Sequence, residues 1–213
     1  MLKLTLLLLP LLLPFQPQQQ AWKLDKETDG IRLYTAPAAG DSKVKPIKVE
    51  CTFNATPAQL VAVLMDIKNY KDWVYHTKSA YIVKQSSPAD LYYYAEVAVP
   101  WPGQNRDFVS HVTVTQNPET RVITLNAPNV PGMVPQKSGI YRTENSKGRW
   151  IITAEGHDQT KVEYELQADA SGAAPAWLVN MLLTDGPLQT FKKLKLQLQK
   201  NQYKNAALPF GKD

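Results

Sequence analysis

The sequence predicts an α+β domain: an antiparallel sheet, dry on one face, closed around a single long C-terminal helix. Three observations predict it. Lys161 to Ala168 alternates without a break, with Val162, Tyr164, Leu166 and Ala168 on one side and Lys161, Glu163, Glu165 and Gln167 on the other. One wet face and one dry face is the habit of antiparallel sheets. A run of further strand-like segments, separated by turn residues, precedes it. From Pro175 to Asn201 the period turns helical, and Trp177, Met181, Leu188, Phe191, Leu194 and Leu198 form one apolar stripe. The dry sheet face and the helix stripe must bury each other.

The elements follow in order. Ile31 to Ala36 reads as a short strand after a turn at Asp29-Gly30. Val44 to Asn54 alternates, with Ile47, Val49, Cys51 and Phe53 on one face. Thr56-Pro57 is a helix start, Thr at the N-cap and Pro in the first turn. Leu60, Val61, Leu64 and Ile67 keep helical spacing to about Asp66, and Asn69 to His76 reads as a shorter helical piece. Strands are expected at Ala80–Lys84, Leu91–Val99, Phe108–Thr115, Arg121–Asn126 and Trp150–Glu155. Ser86-Ser87-Pro88 and Gln116-Asn117-Pro118 break the run. Gly186-Pro187 inside the last helix should kink or split it, because proline removes a backbone hydrogen bond.

The stretch from Val99 to Phe108 reads VPWPGQNRDF. A two-residue Asn-Gly turn would join two strands more simply. Pro100 and Pro102 fix φ and offer no donor, so they end a ladder, and Gly103 restores freedom beside them. Trp101 admits three roles: a plug over a cavity, a ring in a membrane interface, or an anchor in a core pocket. Side chains of Arg106 and Asp107 point to opposite faces of a strand and cannot pair with each other. Each is expected to pin the strand start through its own partner, with direct ligand contact as the alternative.

Composition narrows the function. The chain has 213 residues, 44% hydrophobic. Met1-Leu2-Lys3 and the leucine-rich run to Leu13, too short to span a bilayer, fit a secretory signal peptide, with a short N-terminal anchor as the alternative. The expected organisation is a leader over residues 1–21, one domain over 22–204 and a tail over 205–213. An exported, periplasmic protein is the expectation. The net charge of +5 becomes +4 without Lys3 and is spread out, so no nucleic-acid partner is expected. Mild attraction to anionic head groups is compatible with it. Cys51 is the single cysteine, which leaves no internal disulfide, and its alternating apolar setting reads as a buried thiol. His76, His111 and His157 show no metal-ligand spacing. No Gly-x-Ser-x-Gly and no phosphate-cradling glycine loop is present. No catalytic residue, metal or cofactor is expected.

Three places resemble the START domain, the lipid-binding branch of the helix-grip superfamily. They are Pro100-Trp101-Pro102 followed by Arg106-Asp107-Phe108-Val109, the D-x-x-x-Y-x-x-W pattern at Asp66, Tyr70 and Trp73, and Ala174-Pro175-Ala176-Trp177 at the start of the last helix. The resemblance covers about Trp22 to Gln199. It implies a curved antiparallel sheet gripping the C-terminal helix, an internal apolar tunnel for one lipid, and a loop near the tunnel mouth that opens with that helix. It implies a non-catalytic carrier that exchanges lipid at membranes, and a monomer is the expectation for this chain. One departure stands out: sterol-binding members carry a second arginine on this strand, and the corresponding residue here is Val112.

Inward parity then gives the candidate ligand-binding set. It comprises Phe108, Ser110 and Val112 on one strand, Tyr164 and Leu166 on another, Trp177 and Met181 on the helix, with Tyr94 and Trp101 added. The apolar pattern alone fits a solid core equally. Glu96 reads as a tunnel acid or a rim residue. Two other function classes stay open. A cyclase or aromatase of the same superfamily would use Tyr92, Tyr94, Tyr164 and Glu96 for proton transfer. A partner-binding module would expose a flat apolar patch.

Overall fold

The computed structural model describes residues 21–38, 44–168 and 175–210. Residues 1–20, which hold most of the expected leader, lie outside them. Ten strands form one sheet: β1 (Lys23–Thr28), β2 (Ile31–Thr35), β3 (Ile47–Phe53), β4 (Thr77–Ser87), β5 (Asp90–Val97), β6 (Arg106–Gln116), β7 (Ile123–Pro128), β8 (Tyr141–Arg142), β9 (Lys147–Ala154) and β10 (Thr160–Gln167). The order is β1-β2-β3-β10-β9-β7-β6-β5-β4, antiparallel throughout, while the two-residue β8 adds to β6 in parallel. β1 and β8 carry no signal in the sequence pattern. β1 reads KLDKET and is exposed along nearly its whole length. It is held by its turn onto β2, where Asp29 and Gly30 both take positive φ, the geometry of a tight hairpin.

Between β3 and β4 lie α1 (Pro57–Met65), a 3-10 turn (Ile67–Asn69) and α2 (Tyr70–Trp73). Thr56 caps α1 as its sequence predicts: its hydroxyl accepts from Gln59 N, and the Gln59 side chain accepts from Thr56 N at 2.9 Å. The D-x-x-x-Y-x-x-W residues fix the chain beyond α1. Asp66 accepts hydrogen bonds from Asn69 and Tyr203, the Tyr70 hydroxyl donates to Leu64 O, and Trp73 is buried.

The final helix is not continuous. It runs as α3 (Ala176–Asn180), one π-helical turn (Met181–Asp185) and α4 (Gly186–Gln197), with a 3-10 turn at Asn201–Tyr203. Pro187 cannot donate, and the backbone widens just before it, so that Gly186 N–H reaches Met181 O. α4 packs on the sheet through Phe191, whose ring stacks on Trp150 at 5.3 Å and on Phe53 at 5.9 Å. Ile31, Leu33, Val49, Cys51 and Leu194 complete this end of the core. Burial raises the Cys51 thiol pKa, keeping it an inert apolar filler.

Candidate functional site

The other end of the gripped helix is not solidly packed. A cavity of about 300 Å³ lies between the inner face of the sheet and the last helical segment. Phe108, Ser110 and Val112 of β6 and Tyr164 and Leu166 of β10 line it. Tyr70 and Trp73 of α2 line it too, so the tyrosine and tryptophan of the D-x-x-x-Y-x-x-W pattern converge here. The helix contributes Val179, Leu182, Leu183 and Thr190.

Four predicted site residues lie elsewhere. Tyr94 faces the outer side of the sheet, fully buried, with its hydroxyl on Asp107. Its neighbour Tyr93 faces the cavity instead. Three successive tyrosines carry no alternation, so parity could not separate them. Trp177 and Met181 are displaced by the π turn. The extra residue it inserts rotates the preceding helix by about 100° against the stripe that continues from α4. Val179, Leu182 and Leu183 therefore replace them in the wall. Trp101 is 92% exposed, which excludes the plug and the core anchor.

The loop carrying Trp101 nevertheless meets the last helix. Gly103 N–H closes a turn onto Pro100 O at 2.8 Å. A Cβ on Gly103 would fall 2.3 Å from Val99 Cγ1 and 2.9 Å from Trp177 Cη2, so glycine alone permits the contact. Trp177 thus lies against the loop rather than in the cavity. The loop is tied back at its base. Asn105 accepts from Val99 N at 3.0 Å and donates to Glu96 at 2.9 Å, and Glu96 also accepts from Lys78 at 2.8 Å. Glu96 is therefore an outer-face residue and not an acid of the cavity.

Arg106 and Asp107 separate as strand geometry requires. Asp107 is fully buried on the outer face. It accepts from Arg142 Nε at 2.7 Å, Arg142 Nη2 at 3.1 Å and the Tyr94 hydroxyl at 3.1 Å. Arg142 also donates to Val134 O and Pro135 O. This network fixes the long connection between β7 and β9 and explains β8, which pairs with β6 at that point. No local pattern around Tyr141-Arg142 foretells it. Arg106 turns inward and lines the cavity, its guanidinium 4.6 Å from the Tyr141 ring centre.

The cavity chemistry is therefore mostly apolar with hydroxyls. Burial pushes the Tyr93 and Tyr164 phenols far above their ordinary pKa, so both stay neutral. Ser110 donates to Pro128 O. Among the described residues, no group of acids, histidines or cysteines is placed to hold a metal ion.

A match to the START domain spans residues 11–204. The chain belongs to the START domain family. An uncharacterized protein of Pseudomonas aeruginosa is 32% identical over 180 residues, 84% of this chain and 87% of that protein. The mouse phosphatidylcholine transfer protein is 27% identical over 192 residues, 86% of each chain. Among solved structures, a STAR-related lipid transfer protein fragment from Xanthomonas axonopodis superposes with a TM-score of 0.76 at 28% identity, covering 84% of this chain and 99% of that one. Human STARD10, at 20% identity and a TM-score of 0.72, shares the fold and covers 85% and 74%. The ten-stranded sheet around a C-terminal helix is the helix-grip arrangement of these START neighbours.

Proposed function

We infer that this START domain binds a lipid or other apolar small molecule in the cavity and carries it between membrane surfaces. The observation that carries the reading is the apolar cavity of about 300 Å³ in the grip between sheet and helix. That size lies at the low end of ligand pockets. A two-chain lipid requires the wall to open, and the Gly103–Trp177 contact is the natural place. Trp101, free in solvent beside it, suits a membrane interface, and the net positive charge, +4 without the leader's Lys3, favours anionic surfaces. Lipid transfer in the names of the mouse and Xanthomonas relatives supports the same role. The leucine-rich start supports an exported, periplasmic location, and the protein is taken to act as a monomer. A catalytic role is less well supported. Of the four residues considered for proton transfer, Tyr92, Tyr94 and Glu96 lie outside the cavity wall, leaving Tyr164 alone.

Native mass spectrometry of protein purified without detergent, followed by solvent extraction, tests the reading. One extractable lipid-like molecule per chain is expected. In a vesicle assay, Trp101→Ala should slow transfer of fluorescent lipid and leave the melting temperature unchanged. An empty protein that takes up no fluorescent lipid from vesicles would overturn it.

A further inference from the structure

The cavity wall is electrically one-sided. Among the described residues that line it, Arg106 is the only charged one. Its opposite number on the outer face, Arg142, is fully engaged by Asp107. Arg106 has no carboxylate partner among the described residues. Its guanidinium rests on the Tyr141 ring, and its Nε is buried with no hydrogen-bond acceptor. A second donor shares this condition. Trp73 is 3% exposed, lines the same cavity, and its Nε1–H is also buried without a partner. The register brings the two regions together. Arg106 lies opposite Val97, Val97 lies opposite Thr77, and Trp73 ends the helix that leads into Thr77.

A buried donor without an acceptor is destabilising, and more so when it is charged. Two such donors line this cavity, and no acidic side chain among the described residues lines it. The cavity is complementary to a ligand bringing acceptors and negative charge. The geometry points to Arg106 as the anchor for the oxyanion head of an amphiphile, a carboxylate or a phosphate ester, whose apolar chain fills the space past Phe108 and Val112. Trp73 Nε1–H supplies a second, neutral donor to the same cavity. The inference rests on the cavity being a ligand site, and it adds the class of head group.

The test uses one chain length and three heads. Decanoate, decyl phosphate and decanol compete against a neutral environment-sensitive dye bound to the purified protein. Decanoate and decyl phosphate should compete at least about tenfold more strongly than decanol, the value of one charge-assisted hydrogen bond. Arg106→Gln should remove that advantage, bringing decanoate and decyl phosphate down to the level of decanol. The head-group comparison needs no variant, so it stands even if Arg106→Gln does not fold. Equal competition by all three would overturn the anchor and leave the cavity reading intact. Failure of all three, with no dye bound, would overturn both. Inorganic phosphate alone should not displace decyl phosphate; displacement at equal concentration would mark a free-anion site and overturn the amphiphile.

Discussion

The two faces of the β5–β6 pair are built from alternate residues of the same strands, yet they are finished to different degrees. On the outer face, Asp107, Tyr94 and Arg142 satisfy one another, and Glu96 is held by Lys78 and Asn105. On the inner face, Arg106 Nε is buried beside the cavity without a hydrogen-bond partner, and across the cavity the Tyr164 hydroxyl of β10 has none among the described residues. Polar groups in low dielectric are normally paired. The outer face obeys that rule as a piece of architecture. The inner face departs from it where the cavity lies. The Arg-Asp pair joins the two: one residue closes the scaffold and its neighbour faces the site.

The difference between the faces breaks most visibly at Asp107. Asp107→Asn leaves the Arg142 guanidinium buried without its carboxylate, and should cost about 3–5 kcal/mol in urea unfolding. A loss below about 1 kcal/mol would mean that water already solvates Arg142 and that the outer face is not a closed network. On the inner face, Val112→Arg puts a second unpaired charge into the cavity wall. A loss of about 3 kcal/mol is expected, with lipid uptake abolished. Unchanged melting and uptake would show that the inner wall is wet.

The inner and outer sets were only partly legible in the sequence. β6 and β10 alternate clearly, so Phe108, Ser110, Val112, Tyr164 and Leu166 could be assigned a face from parity alone. β5 could not, because Tyr92, Tyr93 and Tyr94 are alike in character and their faces depend on the register with β6. A helix stripe of constant period runs through Trp177 and Met181, and one π turn ahead of Pro187 breaks that period. Proline signals a disturbance, but its form depends on how the backbone relaxes. β8 and the role of Asp107 rest on Arg142, a partner 35 residues away, which no local pattern encodes.

A matched pair of tyrosines measures the difference more finely. Tyr94→Phe removes a bond to a buried carboxylate and should cost about 1.5 kcal/mol. Tyr164→Phe removes a hydroxyl that bonds to nothing among the described residues and should change stability by less than about 0.5 kcal/mol. Thermal unfolding of the two variants side by side decides it. Equal losses would mean that the cavity hydroxyl is as firmly integrated as the outer one, and the distinction between faces would fall.

The smallest effect comes from acid, where the outer network reaches the loop at the cavity mouth. The Lys78 ammonium beside Glu96, helped by Asn105 and opposed by burial, holds the Glu96 carboxyl below its ordinary pKa. For an acid lowered in the folded state, the contribution to stability is full above the ordinary carboxylate range. It is lost as the pH falls through the folded value. Lys78 is 58% exposed, so solvent screens the pair and the gain is under about 1 kcal/mol. The stability difference between the wild type and Glu96→Gln should be constant near neutral pH and shrink on acidification below pH ~4. Because Asn105 ties Glu96 to Val99, the same titration should loosen the loop and raise the rate of lipid uptake before the sheet unfolds. A difference that grows as the pH falls, or uptake that is flat until global unfolding, would separate the carboxylate from the loop and confine the outer network to the scaffold.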